Sequence, residues 1–443
     1  MAVPAVIDNI SELSAILKTV FGEGVEQQQN LAAMMYKRFG ESGVRFGGNA
    51  YEFPARMANT QSVGARGYRI SLPEPILNMD VTARVRHKFI YGTFDITGPD
   101  IEKGKGNVNA FVNTLTDKMR SLTEMMLKDL NMQTYLDGSG VRATVPAGAA
   151  FTTANLAVDQ VKFLRIGMQI NIVSGTDGVT LKGGATTWVG DSDAGDSAGT
   201  YFQKRYTISK IDTTTSPPTI QISNAAGVIT PINNITVPSG IASGDMIVRH
   251  KAIGAELTGF GAIIDDGVND PGANILQDID RVANPLWRSK ILNAGGGDIT
   301  LPMMQLGMDL PEVSSGRRIT TVVGSYNMRE RYLQVLVPQK RFTDLKLDGG
   351  FQTLEYNGRD FLVDVDCPDG QVIFLNDDSI EKFGLFDLAF VEQTGGILKH
   401  DSLSAGDVFY GYMRTICNLG TTQANANAKI TNGIVDPNYV VAQ

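Results

Sequence analysis

Apolar positions change their period several times along the chain, and each change marks a new element. Ile10, Leu13, Ile16, Leu17, Val20 and Phe21 share one helical face, with Asp8 or Asn9 as a cap and Gly22 as a stop. A second helix is predicted over about 25–39, on a thin face of Leu31, Met34 and Met35, and 40–67 shows no clear period and reads as an irregular arm. Period two follows. Tyr68, Ile70 and Leu72 alternate with Arg69 and Ser71; Pro73 and Pro75 interrupt; Val81, Ala83, Val85, His87, Phe89 and Tyr91 alternate with Thr82, Arg84, Arg86 and Lys88. Strands of this kind carry two different faces. The expectation is an extended β-hairpin over 64–98, one face apolar and the other basic. A lone two-stranded ribbon is marginal in water, so this one must lie on something else.

Val108, Phe111, Val112, Leu115, Met119, Leu122, Met126 and Leu130 then recur at intervals of three and four, with Asn107 or Asn109 to cap the start and Gly138 for a left-handed stop. About 28 residues at 1.5 Å each give a helix of roughly 42 Å. Its methionine-rich stripe reads as core, with Phe111, Leu115, Met119, Leu122 and Met126 facing inward. From about 141 to 253 the pattern is one of short strands, clearest at 168–173, 201–211, 219–222 and 246–250, with a turn signal at Asp177-Gly178. Residues 183–199, rich in Gly, Asp, Ser and Ala, read as an exposed loop. Closely spaced short strands predict a small β-barrel or sandwich inserted in the chain. The remainder mixes strands at 319–323, 361–365, 372–375 and 408–416 with a helix opened by Ser325 or Asn327 and ended by Pro338. Glu330 is placed to complete a capping box on Asn327, and Gly395-Gly396 is placed to join strands near 389–392 and 397–399. The fold class is α+β.

A chain of 443 residues is too long for one core, so two or three domains are expected. The net charge of -8 argues against a dedicated nucleic-acid binder but suits a container with a non-sticky inner wall. No apolar run approaches a membrane span of roughly 18–20 residues, and the first residues lack the basic region of a secretory signal. Cys367 and Cys417 have no metal spacing and are expected as free thiols. His87, His250 and His400 are scattered, and no Gly-x-Ser-x-Gly elbow is present. Lys103-Gly104-Lys105-Gly106 fails as a phosphate loop, because Pro99 stands where the first glycine belongs and Gly106 where Ser or Thr would bind magnesium. Asp191, Asp193 and Asp196 lack a closing Glu for a calcium loop, and Asp364 and Asp366 are expected on a solvated strand face. No catalytic residue, metal ligand or cofactor is predicted, and the chain is not expected to be an enzyme. Arg69, Arg84, Arg86, Lys88, Lys340 and Arg341 are the candidate contact residues, suited to acidic protein surfaces because no aromatics interleave them.

The order of parts carries more than any motif. A helical arm precedes a long ribbon, then one very long helix ends in Tyr135-Leu136-Asp137-Gly138-Ser139-Gly140, and a mixed α/β region closes the chain. Ile279-Asp280-Arg281 with Asn284-Pro285-Leu286-Trp287, Gln339-Lys340-Arg341-Phe342, Leu354-Glu355-Tyr356-Asn357-Gly358, and Asp364-Val365-Asp366-Cys367-Pro368 before Val372-Ile373-Phe374-Leu375-Asn376 add local likeness, as does 425–432. Together they resemble the major capsid proteins of tailed bacteriophages with the Hong Kong 97-like fold. The resemblance covers nearly the whole chain, least in the insertion.

It implies an N-terminal arm over 1–63, an extended loop over 64–98 and a spine helix with part of a peripheral domain over 99–142. An inserted β-rich domain over 143–253 and an axial domain with returning peripheral strands over 254–443 complete the map. It also implies hexamers and pentamers closing into an icosahedral shell around double-stranded DNA, which is contacted non-specifically. The virion would be the final location and the host cytoplasm the place of assembly. A separate scaffolding protein is expected, because the arm is short for a built-in scaffold, along with a portal and a decoration protein. In such a shell the ribbon would reach a neighbouring subunit and bring Arg84, Arg86 and Lys88 to its acidic groups. Two other readings stand beside this one: an encapsulin-like compartment of the same fold, and a hydrolase or carbohydrate-binding β module, which would need a convergent polar site.

Leu115→Asp would place an unpaired charge on the predicted inner face of the long helix, at a cost of several kcal/mol, roughly. Soluble, correctly assembled particles from that variant would refute the assignment.

Overall fold

The computed structural model describes residues 33–39, 50–99, 108–147, 155–176, 180–181, 186–187, 206–223, 241–268, 274–336, 354–391, 398–400, 408–436 and 439–440. The chain divides after residue 30, and every described residue belongs to the unit from Leu31 to Gln443. The first predicted helix, most of the second, and the loop at 183–199 apart from Thr186–Thr187 fall outside the described residues.

The helical turn α1 (Met35–Arg38) precedes a ribbon of two antiparallel strands, β1 (Ala50–Ala58) and β2 (Met79–Arg86), with Tyr51 opposite Val85 and Ala55 opposite Val81. Ala55, Met57, Ala83 and Val85 are buried, while Glu52, Arg56, Thr82 and Arg84 face water. The ribbon therefore starts earlier than the predicted 64, and Tyr68–Leu72 is not a strand. Its first strand was hidden by Pro54, which β1 tolerates because it pairs only with β2.

The long alternation over 81–91 also breaks, at His87. Strand β3 (Lys88–Thr97) belongs to another sheet, and the buried phase inverts: odd positions 83 and 85 are inside in β2, even positions 94 and 96 in β3. Phe89 and Tyr91 consequently point outward. Helix α2 (Val108–Tyr135) has the predicted length, and Gly138 closes it at φ 86. Met126 is buried and Met119 and Leu122 half-buried; the side chains of Phe111 and Leu115 are outside the described set. Gly92 of β3 lies on this helix so closely that a Cβ there would meet Met126 Sδ at 2.5 Å and Leu122 Cδ1 at 2.9 Å.

Eight short strands follow: β4 (Val141–Thr144), β5 (Leu156–Ala157), β6 (Gln169–Val173), β7 (Thr180–Leu181), β8 (Thr186–Thr187), β9 (Tyr206–Asp212), β10 (Thr219–Ser223) and β11 (Met246–Arg249). They form one sheet in the order β4-β11-β6-β9-β10-β5, with β7 paired to β6 and β8 to β7. First and last strands are neighbours, so the chain leaves and returns at one place. Asp159, just after β5, donates from its N–H to Thr144 O at 2.9 Å, which brings the two ends of the strand order together around a core of Leu156, Ile170, Ile172, Ile208, Ile220 and Ile247.

After the short helix α3 (Phe260–Ile263) come a tight hairpin, β12 (Ile275–Leu276) and β13 (Ile279–Asp280), strand β14 (Lys290–Asn293) and helix α4 (Leu301–Ser315). Helix α4 has no counterpart in the predicted elements, because Pro302, Gly307 and Pro311 disguise it. Thr300 caps it by accepting Met303 N–H, and Gly316 ends it at φ 73. Next are β15 (Thr321–Gly324), α5 (Tyr326–Leu336), β16 (Glu355–Tyr356), β17 (Arg359–Val363), β18 (Val372–Leu375), β19 (Ile380–Phe390), β20 (Lys399–His400), β21 (Val408–Thr421) and β22 (Ala428–Thr431). Ser325, not Asn327, caps α5 by accepting Met328 N–H at 3.3 Å; Asn327 is buried and donates to Ile434 O. One mixed sheet runs β14-β22-β18-β15-β17-β16. In another, β19, β20 and β3 all pair with β21; Gly395-Gly396, expected to join two of its strands, lies outside the described residues.

All these parts meet at the last turns of α2. Asn131 is fully buried; its Oδ1 accepts Met35 N–H at 3.0 Å and Tyr36 N–H at 3.1 Å, and its Nδ2 donates to Asp366 and Asp364. Lys128 Nζ pairs with Asp366 Oδ1 at 2.8 Å, both side chains fully buried. Asp364 and Asp366 are thus not on a solvated strand face, since β17 ends at Val363 and the turn after it drives both inward. On another side Asp129 receives Arg249 of β11 and Arg142 of β4, and Arg142 also pairs with Glu256. Burial raises the pKa of Asp366 despite Lys128, and raises that of Glu256. At Asp129 burial is outweighed by Arg249 and Arg142, and the pKa is lowered. Cys367 and Cys417 are buried and not joined in a disulfide, and burial pushes the Cys367 thiol well above its usual range.

Lys128→Met should destabilise the chain by about 3–5 kcal/mol at neutral pH, because Asp366 loses its cation. The loss should shrink as pH falls through the raised pKa of Asp366, since a protonated carboxyl needs no counter-ion. Urea unfolding at several pH values checks both; a pH-independent loss refutes the pairing. Gly259→Ala drives a Cβ into the carbonyl oxygens of Gln133, Leu136 and Thr134, the last of them at 2.5 Å. All three belong to backbone, which cannot swing aside, so a loss of about 1–3 kcal/mol or more is expected. An unchanged unfolding midpoint would show that α3 does not dock on the helix end as described.

Candidate assembly surface

Between β1 and β2 the chain runs through 59–78 without regular structure. Pro73 and Pro75 each remove a donor and fix φ, so no ladder continues there. The base is tied: Thr60 N–H donates to Asn78 Oδ1 at 2.8 Å and Thr60 Oγ1 to Ile76 O at 2.6 Å. At the tip Ile70 N–H closes a turn on Gly67 O at 3.2 Å, and Arg69, at φ 70, sets its guanidinium 5.6 Å from the Tyr68 ring. Tyr68 is 93% exposed, Leu77 92%, Val63 88% and Leu72 84%, with Ile70 and Ile76 also exposed. Large apolar side chains gathered at one exposed place mark an interaction surface. Phe89 and Tyr91 add to the exposed apolar area near the body, beside a groove of about 440 Å³ between β3, α2 and the segment after β11.

Of the predicted contact residues, the structure brings two together. Arg84 Nε donates to Glu52 Oε1 at 2.7 Å across the ribbon, and Arg86 Nη2 donates to Asp278 Oδ2 at 3.0 Å. Their acidic partners are the chain's own. Lys88 does not share their face, because the phase has inverted at His87: its Nζ donates to Gly254 O, and burial, then Arg86, lowers its pKa against the pull of Glu256. Arg69 stands apart at the tip, and Lys340 and Arg341 lie outside the described residues. Missing from the predicted set are Glu52, Asp80, which pairs with Arg56 at 2.9 Å, and Asp278. Asp80, next to the alternation over 81–91, was readable as an acid on its polar phase; Glu52 was not, because Pro54 hides β1, nor was Asp278, because its two-residue turn contains no glycine. Among the described residues no three His, Cys, Asp or Glu side chains converge as metal ligands, and no helix is long and apolar enough to cross a membrane.

No family model matches the chain, and no curated protein matches it. Solved structures do. The Cyanophage A-1(L) capsid asymmetric unit is 12% identical, covers 95% of this chain and 98% of its own, and superposes with a TM-score of 0.58. A structure of Mycobacterium phage Bobi is 7% identical, with 97% and 99% covered and a TM-score of 0.46. The capsid of a native GTA particle is 10% identical, with 97% and 99% covered and a TM-score of 0.46. At such identities the likeness is one of fold, and through the first of these structures the chain has the Hong Kong 97-like capsid fold.

Proposed function

We propose that the chain is the major capsid protein of a tailed bacteriophage, a structural subunit that assembles as hexamers and pentamers into an icosahedral shell. The observation that carries this reading is the loop over 59–78 between the ribbon's strands, which leaves Tyr68, Leu72 and Leu77 almost wholly exposed. A chain that keeps such a surface uncovered is incomplete alone, and copies of itself in a capsid fold offer the cover. Burying one such side chain is worth about 1.5–3 kcal/mol, and a shell repeats the contact in every subunit. The shell encloses double-stranded DNA, touched without sequence preference, which fits the acidic balance of the chain. A separate scaffolding protein, a portal and a decoration protein are the partners of this role, the host cytoplasm is its place of assembly and the virion its destination.

Expression of the full chain should give closed particles of multi-megadalton size by sedimentation and electron microscopy. Changing Tyr68, Leu72 and Leu77 together to Ser should leave circular dichroism unaltered while abolishing those particles. A parent chain that stays monomeric, or a triple variant that still builds normal shells, refutes the reading.

A further inference from the structure

We propose that the β12–β13 hairpin is a latch that sets the angle at which the ribbon leaves the body, with Asp278 as its catch. Only His87 separates β2 of the ribbon from β3 of the body sheet, and the buried phase inverts across it. One residue of backbone is a pivot; the ribbon's inner face, with Ala55, Met57 and Ala83 in the core of the body, holds it down, but apolar packing leaves the angle open and a directional contact must fix it. The hairpin supplies it. Arg84 N–H donates to Gln277 O at 2.8 Å, and Arg86 Nη2 reaches Asp278 Oδ2 at 3.0 Å and Oδ1 at 3.2 Å, with Arg84 Nη1 3.7 Å from the same carboxylate. From the body, Asn418 Nδ2 donates to Arg86 O at 2.8 Å.

The hairpin is firmly seated. Leu276 and Ile279 are buried, Trp287 Nε1 donates to Leu276 O at 3.3 Å, and the buried Arg281 donates to the carbonyls of Ala262 and Ile263. Its catch, by contrast, is strained. Gln277 and Asp278 hold φ 54 and φ 63 without a glycine, a conformation that persists only where the surroundings impose it. The amide of Gln277 is wedged beside Gly420 of β21, where an added Cβ would meet its Nε2 at 2.7 Å and Val85 of the ribbon at 2.8 Å. Both polar atoms of that amide are buried without a hydrogen bond among the described residues. A swing of the ribbon would uncover it, which offsets part of the cost of release. The ion pairs themselves are exposed, with Asp278 at 40%, Arg84 at 43% and Arg86 at 65%, so salt screens them. The latch is a property of the single chain; its consequence for shell geometry rests on the capsid reading.

The test compares parent, Asp278→Asn and Arg86→Gln as unassembled full chains by amide hydrogen exchange. Asn keeps the size and the left-handed backbone of the catch and removes its charge. At low salt, exchange over 50–58 and 79–86 should rise about threefold or more in both variants and stay at parental rates in β18 and β22. In about 1 M salt the parent should approach the variants, which themselves change little. Unchanged ribbon exchange in both variants, or an equal rise in β18 and β22, overturns the latch. Under conditions where the parent closes shells of one size, Asp278→Asn should give mixed or open ones; uniform parental shells from a variant with a loosened ribbon overturn the angle-setting role. A parent that builds no shells at all refutes the capsid reading instead, and the exchange measurement still decides the latch.

Discussion

The arrangement of every other part depends on one buried polar contact, the grip of Asn131 and Lys128 on the carboxylates of Asp364 and Asp366. An apolar helix end would pack against many neighbours at many angles. Buried charge and amide groups do not have that freedom, because each needs a partner at a definite distance and direction. On one side of the helix Asn131 fixes the arm by its backbone; on another, Asp129 fixes the inserted sheet through two arginines. The desolvation cost is large, and such networks are weak evidence for stability. What this one provides is a unique geometry where arm, spine, insertion and mixed sheet converge.

The ribbon follows the opposite logic. Its ion pairs are exposed and individually weak and the loop beyond its strands is apolar and uncovered, while Ala55, Met57 and Ala83 on the inner face of those strands join the core of the body. Rigid body and uncovered loop are complementary in a subunit that, on the capsid reading, has one fold and meets several neighbours. The same residue type therefore acts differently by location: Arg142 at the junction is fully enclosed and specifies a fold, and the arginines of the ribbon are hydrated and hold a pose.

Much of this was legible in the sequence wherever the determinants are local. The spine helix announces itself by spacing and ends at the glycine that its left-handed stop requires. Strands of the insertion are legible through β-branched runs such as Ile170 to Val173. Proline obscured two elements, β1 through Pro54 and α4 through Pro302 and Pro311: an edge strand and a first helical turn tolerate a proline, and Pro311 stands inside the helix, where sequence rules place none. The inversion at His87 left no trace, since period two continues through it while the chain changes sheets. The burial of Asp364 and Asp366 was equally invisible: the cation and amide that satisfy them lie more than two hundred positions away in sequence. Of the assembly surface, the ribbon's polar phase was readable and the own-chain partner of Arg86 was not.

The neighbouring positions of β4 and β11 give the sheet between them a single root. Because its two ends are adjacent, topology alone would let the chain pass from one to the other without it. Charge would not. Arg142 and Arg249, on its first and last strands, neutralise Asp129 and Glu256, so excising the sheet would strand two carboxylates in the interior. The module is separable in topology and inseparable in electrostatics.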